Sequence, residues 1–127
     1  MDFDHAGIAT DDADGLAGLY TGLLDCDRAH DERFDGMEVV FLDVGGGYLE
    51  LLEPTEGSPI ASYLEDNGPG IHHVALETDD IEDALGRARA HDVGLIDEEP
   101  RPGAWGHEVA FLHPEDTGGI LVEFVQH

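Results

Sequence analysis

The chain predicts an α+β fold made of two βαβββ repeats related by a pseudo-twofold, forming a cupped mixed sheet with helices on the outside. Three paired segments carry that prediction. His5-Ala-Gly-Ile-Ala-Thr-Asp-Asp12 returns as His73-Val-Ala-Leu-Glu-Thr-Asp-Asp80, Glu38-Val-Val-Phe-Leu42 as Glu108-Val-Ala-Phe-Leu112, and Tyr48-Leu-Glu50-Leu-Leu52 as Leu121-Val-Glu123-Phe-Val125. The pairs keep their order and are offset by 68 (5 to 73), 70 (38 to 108) and 73 (50 to 123) residues, a drift that small loop insertions explain. Two copies of one supersecondary unit follow.

In the first copy, residues 3–10 read as a strand. Asp11 or Asp12 then caps a helix over about 11–24, whose apolar positions Leu16, Leu19, Tyr20 and Leu23 recur at helical spacing. Residues 37–44 and 48–53 are strands rich in Val, Phe and Leu, joined as a hairpin by Gly45-Gly46-Gly47. Ser58 followed by Pro59 signals a short helix running to about Leu64. Asn67-Gly-Pro-Gly70 breaks the chain between the copies. The second copy repeats the plan, with a strand at 71–78, a helix from about Asp79 to His91, a short strand near 94–98, and strands at 107–112 and 119–125 turned by Gly118-Gly119. Glu98-Glu-Pro-Arg-Pro-Gly-Ala-Trp-Gly106 is too long for a tight turn, and loops of that kind often carry specificity.

At 127 residues the chain is one domain's worth, repeat one spanning about 1–68 and repeat two about 69–127 around a shared core. Thirty acidic residues stand against five basic ones, all Arg, giving a net charge of −25 spread along the whole length. That pattern fits a solvated acidic surface suited to a salt-rich cytoplasm, where self-repulsion is screened. It makes nucleic acid and anionic membranes improbable partners, because little here can replace phosphate counterions. Cys26 is the sole cysteine, so neither a disulfide framework nor a thiolate metal site is expected, and it reads as a small buried apolar residue. No leader-like start and no apolar run long enough to span a bilayer is evident, so a cytoplasmic protein is expected.

Strand parity then sets which way the polar residues point. His5, Gly7 and Ala9 share one face and Ala6 and Ile8 the other; His73, Ala75 and Glu77 oppose Val74 and Leu76. The apolar face covers the helix, which leaves both histidines on the concave side beside small residues. Glu50 and Glu123 alternate with apolar neighbours, where an uncompensated charge is costly. Taken singly, each of the four fits a satisfied core histidine or an edge-strand charge. Four at matching repeat positions fit a metal site better: His5, Glu50, His73 and Glu123 as ligands of a divalent first-row ion. All-oxygen magnesium or calcium sites are disfavoured by the two imidazoles. Of the other histidines, His72 falls out of phase with His73, His113 lies in a turn, His30, His91 and His127 read as surface residues, and His107 is ambiguous.

The repeated unit with one His and one Glu per copy resembles the vicinal oxygen chelate superfamily. Six segments are similar, in order, to its methylmalonyl-CoA epimerase family: Glu50-Leu-Leu-Glu-Pro54, Ser58-Pro-Ile-Ala-Ser-Tyr-Leu64, Gly70-Ile-His-His-Val-Ala-Leu-Glu77, Asp97-Glu-Glu-Pro100, Phe111-Leu-His-Pro114 and Gly118-Gly-Ile-Leu-Val-Glu123. The resemblance implies the same four metal ligands, with Glu or Gln at the position of Glu50, and a cobalt, zinc, manganese or nickel ion, cobalt favoured. It also implies a homodimer and an acyl-CoA substrate. Trp105 departs from the smaller or more polar residue usual there. The absence of lysine leaves Arg33, Arg101 or backbone amides to meet coenzyme A phosphates.

The implied reaction is interconversion of (R)- and (S)-methylmalonyl-CoA by proton transfer at the carbon next to the thioester carbonyl. Two groups must flank that carbon. Glu123 is the candidate for one catalytic group and Glu50 for the other, with Glu38 and Glu77 as weaker alternatives for the second. Two further readings stand beside this one: a glyoxalase I-like isomerase acting on a thiol hemithioacetal with the same ligands, and a non-catalytic module that holds a small metal-chelating ligand.

Overall fold

The computed structural model describes residues 1–55 and 57–127, which group into two compact units: Met1–Asp4 with His73–His127, and His5–His72. Each carries one copy of the repeat. The first copy runs β1 (Asp2–Ala9), α1 (Ala13–Leu23), β2 (Asp27–Phe34), β3 (Met37–Asp43) and β4 (Tyr48–Pro54), followed by helix α2 (Pro59–Asn67). Its strands lie in the order β2-β3-β4-β1, with β1 parallel to β4 and the other pairs antiparallel. The second copy runs β5 (Gly70–Glu77), α3 (Ile81–Ala90), β6 (Arg101–Pro102), β7 (Glu108–Phe111) and β8 (Val122–Gln126). Its order is β5-β8-β7-β6, with β5 parallel to β8. The α+β class and the doubled βαβββ plan are those the sequence predicts.

The Thr-Asp-Asp echo starts a helix in the same way twice. Asp12 accepts a hydrogen bond from the Gly15 N–H at 2.9 Å, and Asp80 accepts one from the Asp83 N–H at 3.1 Å, so each satisfies an amide that the first helical turn leaves open. Each Asp N–H in turn donates to the threonine hydroxyl two residues earlier, both at 3.2 Å. One more amide per helix is bound from the sheet: Ala13 N–H donates to Glu53 Oε1 and Ile81 N–H to Gln126 Oε1, both at 2.8 Å. Entry angle and strand position are thereby tied together.

Helices α1 and α3 each bury an apolar stripe against the strands of their own unit. Ala13 and Ala17 pack with Val40, Leu42 and Leu51, and half-buried Ile8, Leu16 and Tyr20 join them. Ile81, Ala84, Leu85 and Ala88 pack with Ala110, Leu112 and Phe124. Fully burying a Leu or Ile side chain contributes roughly 1.5–3 kcal/mol, so these clusters hold each unit together. The α1 stripe differs from the predicted one: Leu16 and Tyr20 face the core, while Leu19 and Leu23 are exposed and small alanines take the closest approach. No helix among the described residues is long and apolar enough to cross a membrane.

Two elements depart from the sequence reading. Strand β2 is missing from it, because Asp27–Phe34 is a charged edge strand with no residue fully buried, held by its ladder to β3 rather than by apolar alternation. The strand foreseen near 94–98 is an isolated bridge between Leu95 and Leu112, and the edge strand lies instead at Arg101–Pro102. Between them, the Asp97 side chain accepts from the Phe111 N–H at 2.8 Å. Ser58 stands at the N-cap position of α2 as foreseen, yet its side chain makes no cap hydrogen bond there.

Candidate metal centre

In each unit, the strand face that turns away from the helix carries one histidine and one glutamate. On β1 and β4 the parallel register sets Glu50 opposite Gly7, one strand repeat beyond His5 on the same face. On β5 and β8 Glu123 is opposite Ala75, again one repeat beyond His73. The small residue in each ladder leaves room for a diagonal approach. His5 Nε2 lies 3.2 Å from Glu50 Oε1, and His73 Nε2 lies 3.4 Å from Glu123 Oε1. All four side chains are buried, with exposures of 5–6%.

A phenylalanine completes each pair. Phe41 is in register with Glu50 and Phe111 with Glu123. Their rings stand edge-on to the imidazoles at 5.6 Å and 87° for His5 with Phe41, and at 5.5 Å and 83° for His73 with Phe111. Such T-shaped packing fixes the imidazole plane and keeps water off its faces. Ala75, Val109 and Val125 form a buried apolar cluster on the same face as Glu123. The repeat sets Phe41 and Phe111 at matching positions, the one sequence signal that could have singled them out.

The donor chemistry fits a divalent cation. Two donors about 2.0–2.2 Å from one ion, at octahedral to tetrahedral angles, stand roughly 3.0–3.5 Å apart, and the spacings in both pairs fall in that window. Buried carboxylates in a chain of net charge −25 also need positive charge near them. One imidazole and one carboxylate per pair is a nitrogen and oxygen set of the kind first-row divalent ions take.

Arg101 lies beside the second pair. Its guanidinium carbon sits 5.4 Å over the Phe111 ring and its Nε donates to Asp97 Oδ1 at 2.9 Å. Asp97 thus holds the cation and the Phe111 backbone together. Arg33, the other candidate for anionic substrate groups, pairs with Glu38 at 3.4 Å. The loop after Arg101 is tightly built: a Cβ on Gly103 would meet Val109 Cγ1 at 2.6 Å, and Trp105 has a left-handed backbone, φ 62° and ψ 24°. A bulky side chain seldom adopts that region.

The remaining histidines divide. His72 packs edge-on against Tyr63, out of phase with His73 as foreseen, and His91 and His113 are exposed. His30 is half-buried, 3.2 Å from Glu32, and so is not a free surface residue. His127 is exposed as foreseen, yet its Nε2 lies 2.5 Å from the buried Asp4 and 3.7 Å from Glu77. His107 stacks between Trp105 and His127.

Comparison with known proteins covers nearly the whole chain. Residues 4–111 match the model of the Glyoxalase/Bleomycin resistance protein/Dioxygenase superfamily. The ethylmalonyl-CoA/methylmalonyl-CoA epimerase of Cereibacter sphaeroides is 41% identical over 97% of this chain and 96% of the relative. The crystal structure of methylmalonyl-CoA epimerase from Mycobacterium tuberculosis superposes with a TM-score of 0.92 at 34% identity, covering 98% of this chain and 87% of that one. A Streptomyces coelicolor methylmalonyl-CoA epimerase variant in complex with 2-nitronate-propionyl-CoA superposes at 0.91 with 36% identity, covering 99% and 94%. With sequence and fold matched over nearly its whole length, the chain belongs to the methylmalonyl-CoA epimerase family of the glyoxalase, bleomycin resistance protein and dioxygenase superfamily.

Proposed function

We propose that this chain is a metal-dependent epimerase that interconverts (R)- and (S)-methylmalonyl-CoA in the cytoplasm, with His5, Glu50, His73 and Glu123 serving one divalent cation. The observation that carries the reading is the duplicated pair, an imidazole 3.2–3.4 Å from a buried carboxylate with an edge-on phenylalanine, in a chain 41% identical to an epimerase of this substrate class. A bound divalent ion, cobalt by preference, supplies positive charge against which negative charge developing on the substrate oxygens is stabilised.

The chain's own residues handle the proton. Glu123, in its shell of Ala75, Val109 and Val125, removes the α-proton: the C–H bond breaks, its electron pair delocalises into the thioester as an enolate, and the carboxylate becomes a carboxylic acid. Glu50 delivers a proton to the opposite face of the same carbon and is left ionised. No electrons are gained or lost, and exchange of both carboxyl groups with solvent restores the starting state. The nitronate ligand of the Streptomyces relative supports this course, since a nitronate is a planar anion similar to an enolate. To Arg101, whose guanidinium lies over the Phe111 ring, we assign the contact with an anionic group of the substrate.

The test is to give one preparation, in high salt, both (R)-methylmalonyl-CoA and a glutathione hemithioacetal. Epimerisation of the first with no turnover of the second is expected; the reverse would overturn the assignment, and inertness toward both would favour the binding-module alternative. We propose a homodimer as the working state, which light scattering on the same preparation checks.

A further inference from the structure

We propose that Asp4, Glu77 and His127 form a second divalent-cation site, separate from the paired centre and independent of the epimerase reading. A carboxylate oxygen from each acid and one imidazole nitrogen all lie within 4.8 Å of one another. His127 Nε2 is their common vertex, 2.5 Å from Asp4 Oδ1 and 3.7 Å from Glu77 Oε2. Donors sharing one first-row ion stand about 3.0–3.5 Å apart; both His127 contacts lie within about 0.5 Å of that range, and the two carboxylates, at most 4.8 Å apart, need to close by no more than about 1.3 Å.

Burial and orientation favour a built site over an accidental surface pair. The Asp4 side chain is only 6% exposed, while those of His127 and Glu77 are about one third exposed, so the cluster has a buried floor and an open mouth for water ligands. The imidazole of His127 is held by its neighbours: His107 stacks on it at 3.8 Å and 24°, and Trp105 stacks on His107 at 5.7 Å and 26°. A ring fixed in plane presents its nitrogen without a further loss of rotamer freedom. One imidazole with two carboxylates selects zinc or another first-row divalent ion over magnesium or calcium. An ion there would fasten the end of β5 and the residue following β8 to Asp4 of β1.

Trp105 is the sole tryptophan, so the stacked rings provide a built-in reporter. The experiment titrates Zn²⁺ into the full-length chain and its E77Q and H127A variants, followed by tryptophan fluorescence and by zinc content after gel filtration. About 2 M KCl screens diffuse binding to the acidic surface. Each variant should retain one zinc fewer per chain than the wild type, whatever the wild-type total, and the fluorescence change on zinc addition should vanish in E77Q, which leaves the ring stack intact. Equal zinc content in all three proteins, or an E77Q response identical to that of the wild type, would overturn the proposal. Because both side chains are partly exposed, the variants should fold, which circular dichroism verifies.

Discussion

Glu123 Oε1 stands 3.4 Å from His73 Nε2 although the ladder sets Glu123 opposite Ala75, not opposite His73. The diagonal contact exists because the residue between them is small and completely buried. Enlarging that residue should therefore separate the pair. In A75L the added methyl groups have no free volume, and overpacking of this kind costs roughly 1–3 kcal/mol. We expect a lowered thermal midpoint together with loss of bound metal in the folded fraction. Full metal content in A75L would show that the diagonal spacing is not what shapes the centre.

Removing the metal tests the donor set itself. Dialysis against a chelator should abolish epimerisation, and a stoichiometric divalent ion should restore it. Metal binding competes with protons for imidazole and carboxylate, so acidification must weaken affinity and never strengthen it. Elemental analysis across a pH series checks the sign. Undiminished activity after complete removal would exclude the metal-dependent reading.

The charge of −25 predicts a salt requirement. Few of its 30 acidic side chains have an arginine to meet, so self-repulsion opposes folding until ions screen it within a few ångströms. Relief of even 1–2 kcal/mol would shift the melting midpoint by on the order of 5 °C or more in a domain of this size. Calorimetry from 0.1 M to about 2 M KCl should show that rise. A midpoint independent of salt would mean that the acidic surface is not limiting.

Trp105 holds a left-handed backbone that is ordinarily left to glycine. Such strain costs about 1–3 kcal/mol and gathers at functional sites. Substituting W105G should relieve the backbone while losing the stack on His107, leaving stability within about 1 kcal/mol and raising KM for the acyl-CoA with little change in kcat. A large drop in stability with an unaltered KM would make Trp105 a packing residue only.

Much of this was legible in the sequence because duplication makes periodic signals checkable against each other. The Thr-Asp-Asp echo marked both helix starts, and parity aimed His5, Glu50, His73 and Glu123 at the faces away from the helices, where they lie. Elements held by backbone ladders alone stayed hidden. Strand β2, with its Asp, Arg, His and Glu, carries no apolar alternation, and the Leu95 bridge is too short to leave a period. The contact of Asp4 with His127 joins residues 123 apart, and no local pattern encodes such a pairing. On α1, alanines took the inward positions that leucine spacing suggested for Leu19 and Leu23, because close helix approach favours small side chains.

The decisive measurement is wash-in of solvent deuterium at the α-carbon of methylmalonyl-CoA, followed by NMR for the wild type and E123Q. The neutral amide keeps the size of the carboxylate but cannot accept the proton, and general-base loss typically lowers rates by 10²–10⁴-fold. We expect rapid exchange with the wild type and a loss of that order with E123Q at an unchanged circular dichroism spectrum. Exchange at the wild-type rate in folded E123Q would contradict the role assigned to Glu123.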